Sequence, residues 1–210
     1  MPDRAILFVD GSNWYHALKS IGLANPGRLN YAKLSQKLVG PRTWLHTRYY
    51  IGQVRQVGNL QLYRDQRSFL ARLRNTDPRI STHMGRLEPR TAKNEAAKEL
   101  RQYLHGLPAQ IDRVVFHDLM SIANRHESTE IMVEKAVDVM LAVDLVTMAE
   151  RDEFDAAYIL SADGDYSPAV EAAIAQGKTV YACCPAPGAA LASVVRAFIR
   201  PGLDWFDDCY

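Results

Sequence analysis

The sequence predicts an α/β fold in which a mainly parallel sheet carries helices on both faces. Three observations support this. Short continuous apolar runs, among them Ala5-Ile6-Leu7-Phe8-Val9 and Ala156-Ala157-Tyr158-Ile159-Leu160, lack the alternation of a half-exposed strand and read as strands buried on both sides. Helix-compatible segments separate these runs, so strands and helices alternate along the chain. The chain has 210 residues and is 48% hydrophobic, enough for one domain over residues 1–210 with a proper core and an excursion at 88–130.

The elements follow in order. Arg4 to Val9 reads as a buried strand and Asn13 to Ile21 as a helix ending near Gly22. Asn30 to Leu38 reads as a second helix with Asn30 as its cap. Thr43 to Ile51, rich in aromatic and β-branched residues, is a strand; Asn59 to Arg74 is a long polar helix; Arg79 to Leu87 alternates as a strand does. Between 88 and 130 the pattern is weak: Thr91 to Leu104 looks helical, and Val114-Val115-Phe116 reads as a short strand or part of the excursion. Glu130 to Ala149 is a strongly apolar helix, and Ala156 to Leu160 is a buried strand. Ser167-Pro168 opens a helix that ends at Gly177, since proline is tolerated in the first turn. Lys178 to Cys183 is a strand, and Ala189 to Ile199 a final helix.

Composition narrows the function classes. No apolar run approaches the length of a membrane span, so no membrane association is expected. Three cysteines, two of them adjacent, without framework spacing fit a reducing compartment, and the expected location is cytoplasmic. The six histidines form no zinc-type pair. Net charge is +1, but its distribution is uneven. From Arg42 to Arg101 there are thirteen basic and five acidic residues, a net +8 that the rest of the chain, at −7, nearly cancels. The basic side is mostly arginine, which suits bidentate phosphate contact. A cationic surface beside an acidic site is what a nucleic-acid substrate asks for; a solvated, salt-bridged helix face is the competing reading.

The acids themselves are informative. Asp10 ends the first apolar run and opens Asp10-Gly11-Ser12-Asn13, Asp138 lies inside Val137–Val143, and Asp163 and Asp165 follow Ala157–Ala162. A carboxylate beside buried apolar surface is costly unless a cation, a donor or a proton compensates it. In open parallel sheets ligands bind beyond the carboxyl ends of the strands, where strand order reverses. If the strands ending at Asp10 and near 161 are neighbours there, their acids share one crevice, and Asp138 joins from a helix. An all-carboxylate cluster suits Mg²⁺ or Mn²⁺ and disfavours zinc. Carboxylates this close repel one another, so without metal at least one should have a raised pKa.

These blocks resemble a known family. Asp10-Gly11-Ser12-Asn13, then Lys135-Ala136-Val137-Asp138, then Ser161-Ala162-Asp163-Gly164-Asp165-Tyr166 are similar to the three signature blocks of the NYN domain, in the LabA-like branch of the PIN-like nuclease superfamily. The resemblance spans roughly residues 4–183. It implies a PIN-like (Rossmannoid) three-layer sandwich with a central mainly parallel sheet, an acidic site and metal-dependent ribonuclease activity on single-stranded or structured RNA. It assigns Asp10, Asp138 and Asp163 to the metal, with Asp165 a further catalytic acid; Asn13, Ser12 and Lys135 are the candidate substrate contacts. The family commonly has glycine where Ala136 stands, and Ser-Gly-Asp-Ser-Asp-Phe where Ala162, Gly164 and Tyr166 differ. None of these departures removes an acid.

Other roles compete. Ser12 and Asn13 can cap the first helix. Lys135 can pair with Asp138 on one helical face or neutralise phosphate. Asp144 fits a structural hydrogen bond better than catalysis, and Ser161 can orient an acid. Two other functions fit the fold: a non-catalytic RNA-binding module, or a small-molecule phosphohydrolase. Against the latter, Asp10 is followed by Gly11-Ser12 and not by a second aspartate two residues on, and there is no Gly-x-x-x-x-Gly-Lys-Ser/Thr run. Oligomeric state, the choice of RNA, and exo- or endonucleolytic cleavage leave no mark in the sequence.

Overall fold

The computed structural model describes residues 3–54, 56, 60–106, 112–126 and 128–210. Arg4–Asp10 forms β1, Thr43–Gln53 β2, Ile80–Lys93 β3, Ser128–Lys135 β4, Ala156–Leu160 β5, Thr179–Cys183 β6 and Ala197–Ile199 β7. The helices are α1 (Gly11–Ser20), α2 (Tyr31–Val39), α3 (Leu60–Thr76), α4 (Glu95–His105), α5 (Arg113–His126), α6 (Val137–Glu150), α7 (Ser167–Ala175) and α8 (Ala189–Val194). The strand order is β4-β3-β2-β1-β5-β6-β7. From β3 through β7 every neighbouring pair is parallel. The chain is therefore α/β, with a six-stranded parallel sheet between two helical layers, as expected of a PIN-like sandwich.

Two compact units share the chain. One comprises residues 1–86 and 134–210 and holds the parallel sheet; the other, residues 87–133, contains α4 and α5. Within the first unit β1 explains the layering. Its side chains alternate between the two faces, so Ala5, Leu7 and Val9 join the core beneath α1 and α2, while Ile6 and Phe8 join the core beneath α6 and α7. All five residues are fully buried.

Several expectations are corrected. α1 starts at Gly11, not Asn13, because Asp10 is its cap: the Asp10 side chain accepts from the Asn13 N–H. Only glycine fits there, since a Cβ on Gly11 would stand 2.7 Å from the Tyr50 carbonyl oxygen of β2. The predicted helix over 130–149 divides into β4 and α6, with the break at Ala136, whose φ is +70°. Alternating β-branched residues in 128–135 extend the sheet at β3, a pairing that helix periodicity does not reveal. Lys135 therefore lies on a strand and does not share a helical face with Asp138. β3 continues to Lys93, where a helix was expected from Thr91. Val114–Phe116 belong to α5, and the last predicted helix stops at Val194 so that Ala197–Ile199 can add an edge strand to β6. Asn59, the predicted start of the long polar helix, lies outside the described residues; α3 runs from Leu60.

Candidate active site

Strand order reverses at β1, with β2 on one side and β5 on the other. Asp10 pairs in register with Tyr50, and Val9 with Leu160, so the end of β1 and the 161–165 loop leave the sheet side by side. An open cleft of about 610 Å³ lies there, and Asp10, Asp138 and Asp163 all line it.

Asp10 is 3% exposed and heavily bonded. Its Oδ1 accepts from the Asn13 N–H at 3.1 Å; its Oδ2 accepts from the hydroxyls of Ser161 at 3.2 Å and Tyr166 at 3.1 Å. Burial pushes its pKa above the ordinary carboxylate value; the donors Asn13, Tyr166 and Ser161 act against that rise, and the charge of Asp138 adds to it. The raised acid expected from the clustering is thus present, but desolvation is the main cause and repulsion a minor one.

Asp138 enters from the first turn of α6, where a carboxylate also suits the positive end of the helix. It is exposed, and its Oδ1 lies 3.1 Å from the Tyr166 hydroxyl. Tyr166 thus stands between Asp10 and Asp138. Burial first, and then the two carboxylates, push its pKa far up, so it stays protonated. It has one hydrogen to give to two carboxylate oxygens. It can therefore serve only one of them at a time; Asp10 Oδ2 keeps the Ser161 hydroxyl, and Asp138 is open to solvent.

Asp163 closes the third side. Its Oδ1 accepts from the Asp165 N–H at 3.0 Å, and its own N–H donates to Ser161 Oγ at 3.1 Å. Ser161 therefore bonds Asp10 and the backbone of Asp163 at once. Asp165 is exposed and is not among the residues lining the cleft. Lys135 is likewise exposed and outside that lining. Ser12 and Asn13 do line it. Asn13 does not cap the helix with its side chain: its Oδ1 accepts from the Ala162 N–H at 3.0 Å, with the Cys184 thiol at 4.0 Å. Burial raises that thiol to about 11, so it stays an S–H donor. With Oδ1 engaged, the Asn13 amide nitrogen remains for a ligand.

Sequence reasoning missed two residues here. Tyr166 was visible only as a tyrosine where the family commonly has phenylalanine; a hydroxyl at an otherwise buried position must find a partner, and that was the available signal. His16, three residues beyond Asn13 on α1, also lines the cleft, and helical spacing was its signal. Asp144 lies outside the cleft lining: its Oδ2 accepts from Arg48 at 2.6 Å and from Tyr50 at 2.6 Å, the structural hydrogen bonding expected of it.

A buried aspartate at the switch point of a parallel sheet, with two further carboxylates around one open cleft, defines a PIN-like α/β protein with an acidic site. The NYN domain family matches residues 59–201, and this chain belongs to that family. NYN domains are of the PIN-like nuclease type. The matched stretch contains Asp138, Asp163 and Asp165; Asp10 lies before it and is brought in by the fold. A solved structure of a protein of unknown function from Vibrio parahaemolyticus is similar over 94% of this chain and 92% of its own, with 14% identity and a TM-score of 0.54, a likeness of fold. No curated protein matches the chain. No helix among the described residues is long and apolar enough to cross a membrane.

Proposed function

We propose that this chain is a Mg²⁺- or Mn²⁺-dependent endoribonuclease, with Asp10, Asp138 and Asp163 holding the ion. The observation that carries this reading is the convergence of those three carboxylates on one cleft at the sheet's switch point. The donor set fits a hard cation: apart from the His16 imidazole, the polar side chains lining the cleft are carboxylates, hydroxyls and one amide. Among the described residues, however, no three His, Cys, Asp or Glu side chains already stand close enough to share an ion. Asp10 is locked by three hydrogen bonds, so Asp138 and Asp163, both less buried, are the ones that must turn toward it.

When bound, such an ion lowers the pKa of a coordinated water and neutralises charge growing on the phosphodiester oxygens. The protein supplies the rest. Ser161 and Asn13 tie the end of β1 to the 161–165 loop, so Asp10 and the backbone that carries Asp163 keep their relative positions. The Asn13 amide nitrogen and His16 face the cleft as donors for phosphate or ribose oxygens, with Ser12 beside them. The Asp165 backbone orients Asp163. Three buried, unpaired cysteines suit a cytoplasmic setting.

The test is cleavage of RNA by the purified protein with Mn²⁺, with EDTA, and with Asp10→Asn. Loss of cleavage in the last two supports the reading; cleavage that survives both sinks it. A second reading, a non-catalytic RNA-binding module, is favoured by the absence of a ready-made three-ligand cage among the described residues. It predicts RNA binding with no cleavage under any metal condition.

A further inference from the structure

Among the described residues, the arginines from Arg42 to Arg79 separate into two groups once the side chains are placed. Some arginines are committed to the fold. Arg42 donates to the hydroxyls of Tyr158 and Tyr181, at 3.0 and 2.9 Å. Arg48 is bound by Tyr50 and Asp144. Arg79 is held by both oxygens of Asp77 and lies 3.9 Å over the Trp44 ring.

The arginines of α3 are different. Arg64, Arg67, Arg72 and Arg74 form no ion pair with a carboxylate among the described residues. Three of them donate only to neutral groups: Arg67 to the Tyr63 hydroxyl, Arg72 to Ser68 and the Gly27 carbonyl, Arg74 to the Leu70 carbonyl. α3 buries Leu70 and Leu73. At 3.6 residues per turn, Arg67 and Arg74 then fall on one flank of the helix, Arg64 lies beside Arg67 on the outer face, and Arg72 lies beyond Arg64.

The placement of α3 gives these arginines a meaning. The Gln66 side chain accepts from the Val54 N–H at 2.9 Å and donates to the Gly52 carbonyl at 2.8 Å. These bonds pin the second turn of α3 to the chain leaving β2. Gly52 lies two residues past Tyr50, the register partner of Asp10, so it stands about 7 Å further along the strand direction. The backbone of Arg64 and Arg67, on either side of Gln66 in sequence, therefore lies toward the same end of the strands as the acidic cleft. The Arg67 guanidinium also sits 5.7 Å from the centre of the Tyr63 ring, adding a flat aromatic face to the positive line. Unpaired guanidiniums in a row with an aromatic platform match a strand whose phosphates and bases are both accessible.

We propose that this side of α3, through Arg64, Arg67 and Arg74, is the surface that holds the backbone of single-stranded RNA on its way to the cleft. The inference rests on the ribonuclease reading above and assigns its substrate a path. The probe is a fluorescently labelled single-stranded RNA of about twenty nucleotides, followed by anisotropy over a salt series in EDTA so that nothing is cut. Arg64→Ala/Arg67→Ala should bind about tenfold or more weaker at low salt, with the slope of log affinity against log salt reduced by about 1.4, or about 0.7 per lost phosphate contact. Arg74 is left in place because its Nε also bonds the helix. A control, Arg151→Ala/Arg196→Ala, removes the same charge from exposed positions outside α3 and should bind like the wild type.

Equal affinity and slope for the α3 variant and the wild type, an equal loss in the control, or no RNA binding by the wild type overturns the proposal. The two readings fail separately. Cleavage by the wild type with α3-independent binding removes the track and leaves the nuclease. Loss of binding in the α3 variant without any cleavage by the wild type removes the nuclease and leaves the track.

Discussion

Replacing Asp10 by asparagine separates what this carboxylate does for a ligand from what it costs the fold. Asp10 is buried, and burial raises its pKa above the ordinary 3.8 of an aspartate despite the opposing donors Asn13, Tyr166 and Ser161. An acid with a raised folded-state pKa binds its proton more tightly in the folded state than in the unfolded one. The stability that the neutral form supplies below the unfolded pKa is lost as pH rises, and the deficit is complete above the folded pKa. Each pKa unit corresponds to about 1.4 kcal/mol. Asparagine has the same shape without the charge. Its Oδ1 can keep the Asn13 bond, while the hydroxyls of Ser161 and Tyr166 can rotate to accept from the new amide. Tyr166 is then free to give its single hydrogen to Asp138. Metal-free Asp10→Asn should therefore be more stable than the wild type near neutral pH. For a chain of this size that is a rise in Tm of about 2–4 °C per kcal/mol. The gain should shrink toward zero as pH approaches 3.8. Thermal melts by circular dichroism in EDTA, between about pH 4 and pH 8, test it. Added Mn²⁺ should raise the Tm of the wild type and leave that of Asp10→Asn unchanged. A variant that melts lower near neutral pH, or a gain that ignores pH, would refute the reasoning.

Two further predictions concern the scaffold. Asp144→Asn should destabilise the protein by about 1–2 kcal/mol, below the range for fully buried pairs because both side chains keep some solvent contact. Burial works to raise the Asp144 pKa, but hydrogen bonds from Tyr50 and Arg48 outweigh it and the net shift is downward. The wild-type advantage over this variant should accordingly fade as pH falls below the ordinary carboxylate range, opposite in sense to Asp10; urea unfolding at several pH values reads it, and a pH-independent difference contradicts it. Ala136→Gly should raise stability by about 0.5–1 kcal/mol, since releasing a non-glycine residue from φ +70° outweighs the added chain entropy. A lower melting temperature for this variant would show that the left-handed turn into α6 carries no strain.

Much of the fold was legible because strongly buried elements advertise themselves. β1 and β5 are continuous apolar runs, and α2 begins where Asn30 offers a side-chain acceptor to the N–H groups of Ala32 and Lys33. The misread elements were those whose state depends on a distant partner. Residues 128–135 are apolar enough for either a helix or a strand, and position next to β3 chose the strand. Ala197–Ile199 form three residues of strand only because β6 presents an open edge. At the site, the acids were legible and their supports were not. Asp10, Asp138 and Asp163 stood out as charges in apolar surroundings. The exchange of capping duty between Asn13 and Asp10 depends on Ala162, about 150 residues later.

The sequence alone determined that this chain makes a helix-covered parallel sheet with carboxylates at the strand ends, because burial patterns and misplaced charges are local properties that any fold must respect. Tertiary structure decided which acids meet, that a single tyrosine hydroxyl lies between two of them, and which arginines are locked inside the fold and which line α3. Those outcomes depend on distances between residues far apart in the chain, and only the packed sheet sets those distances.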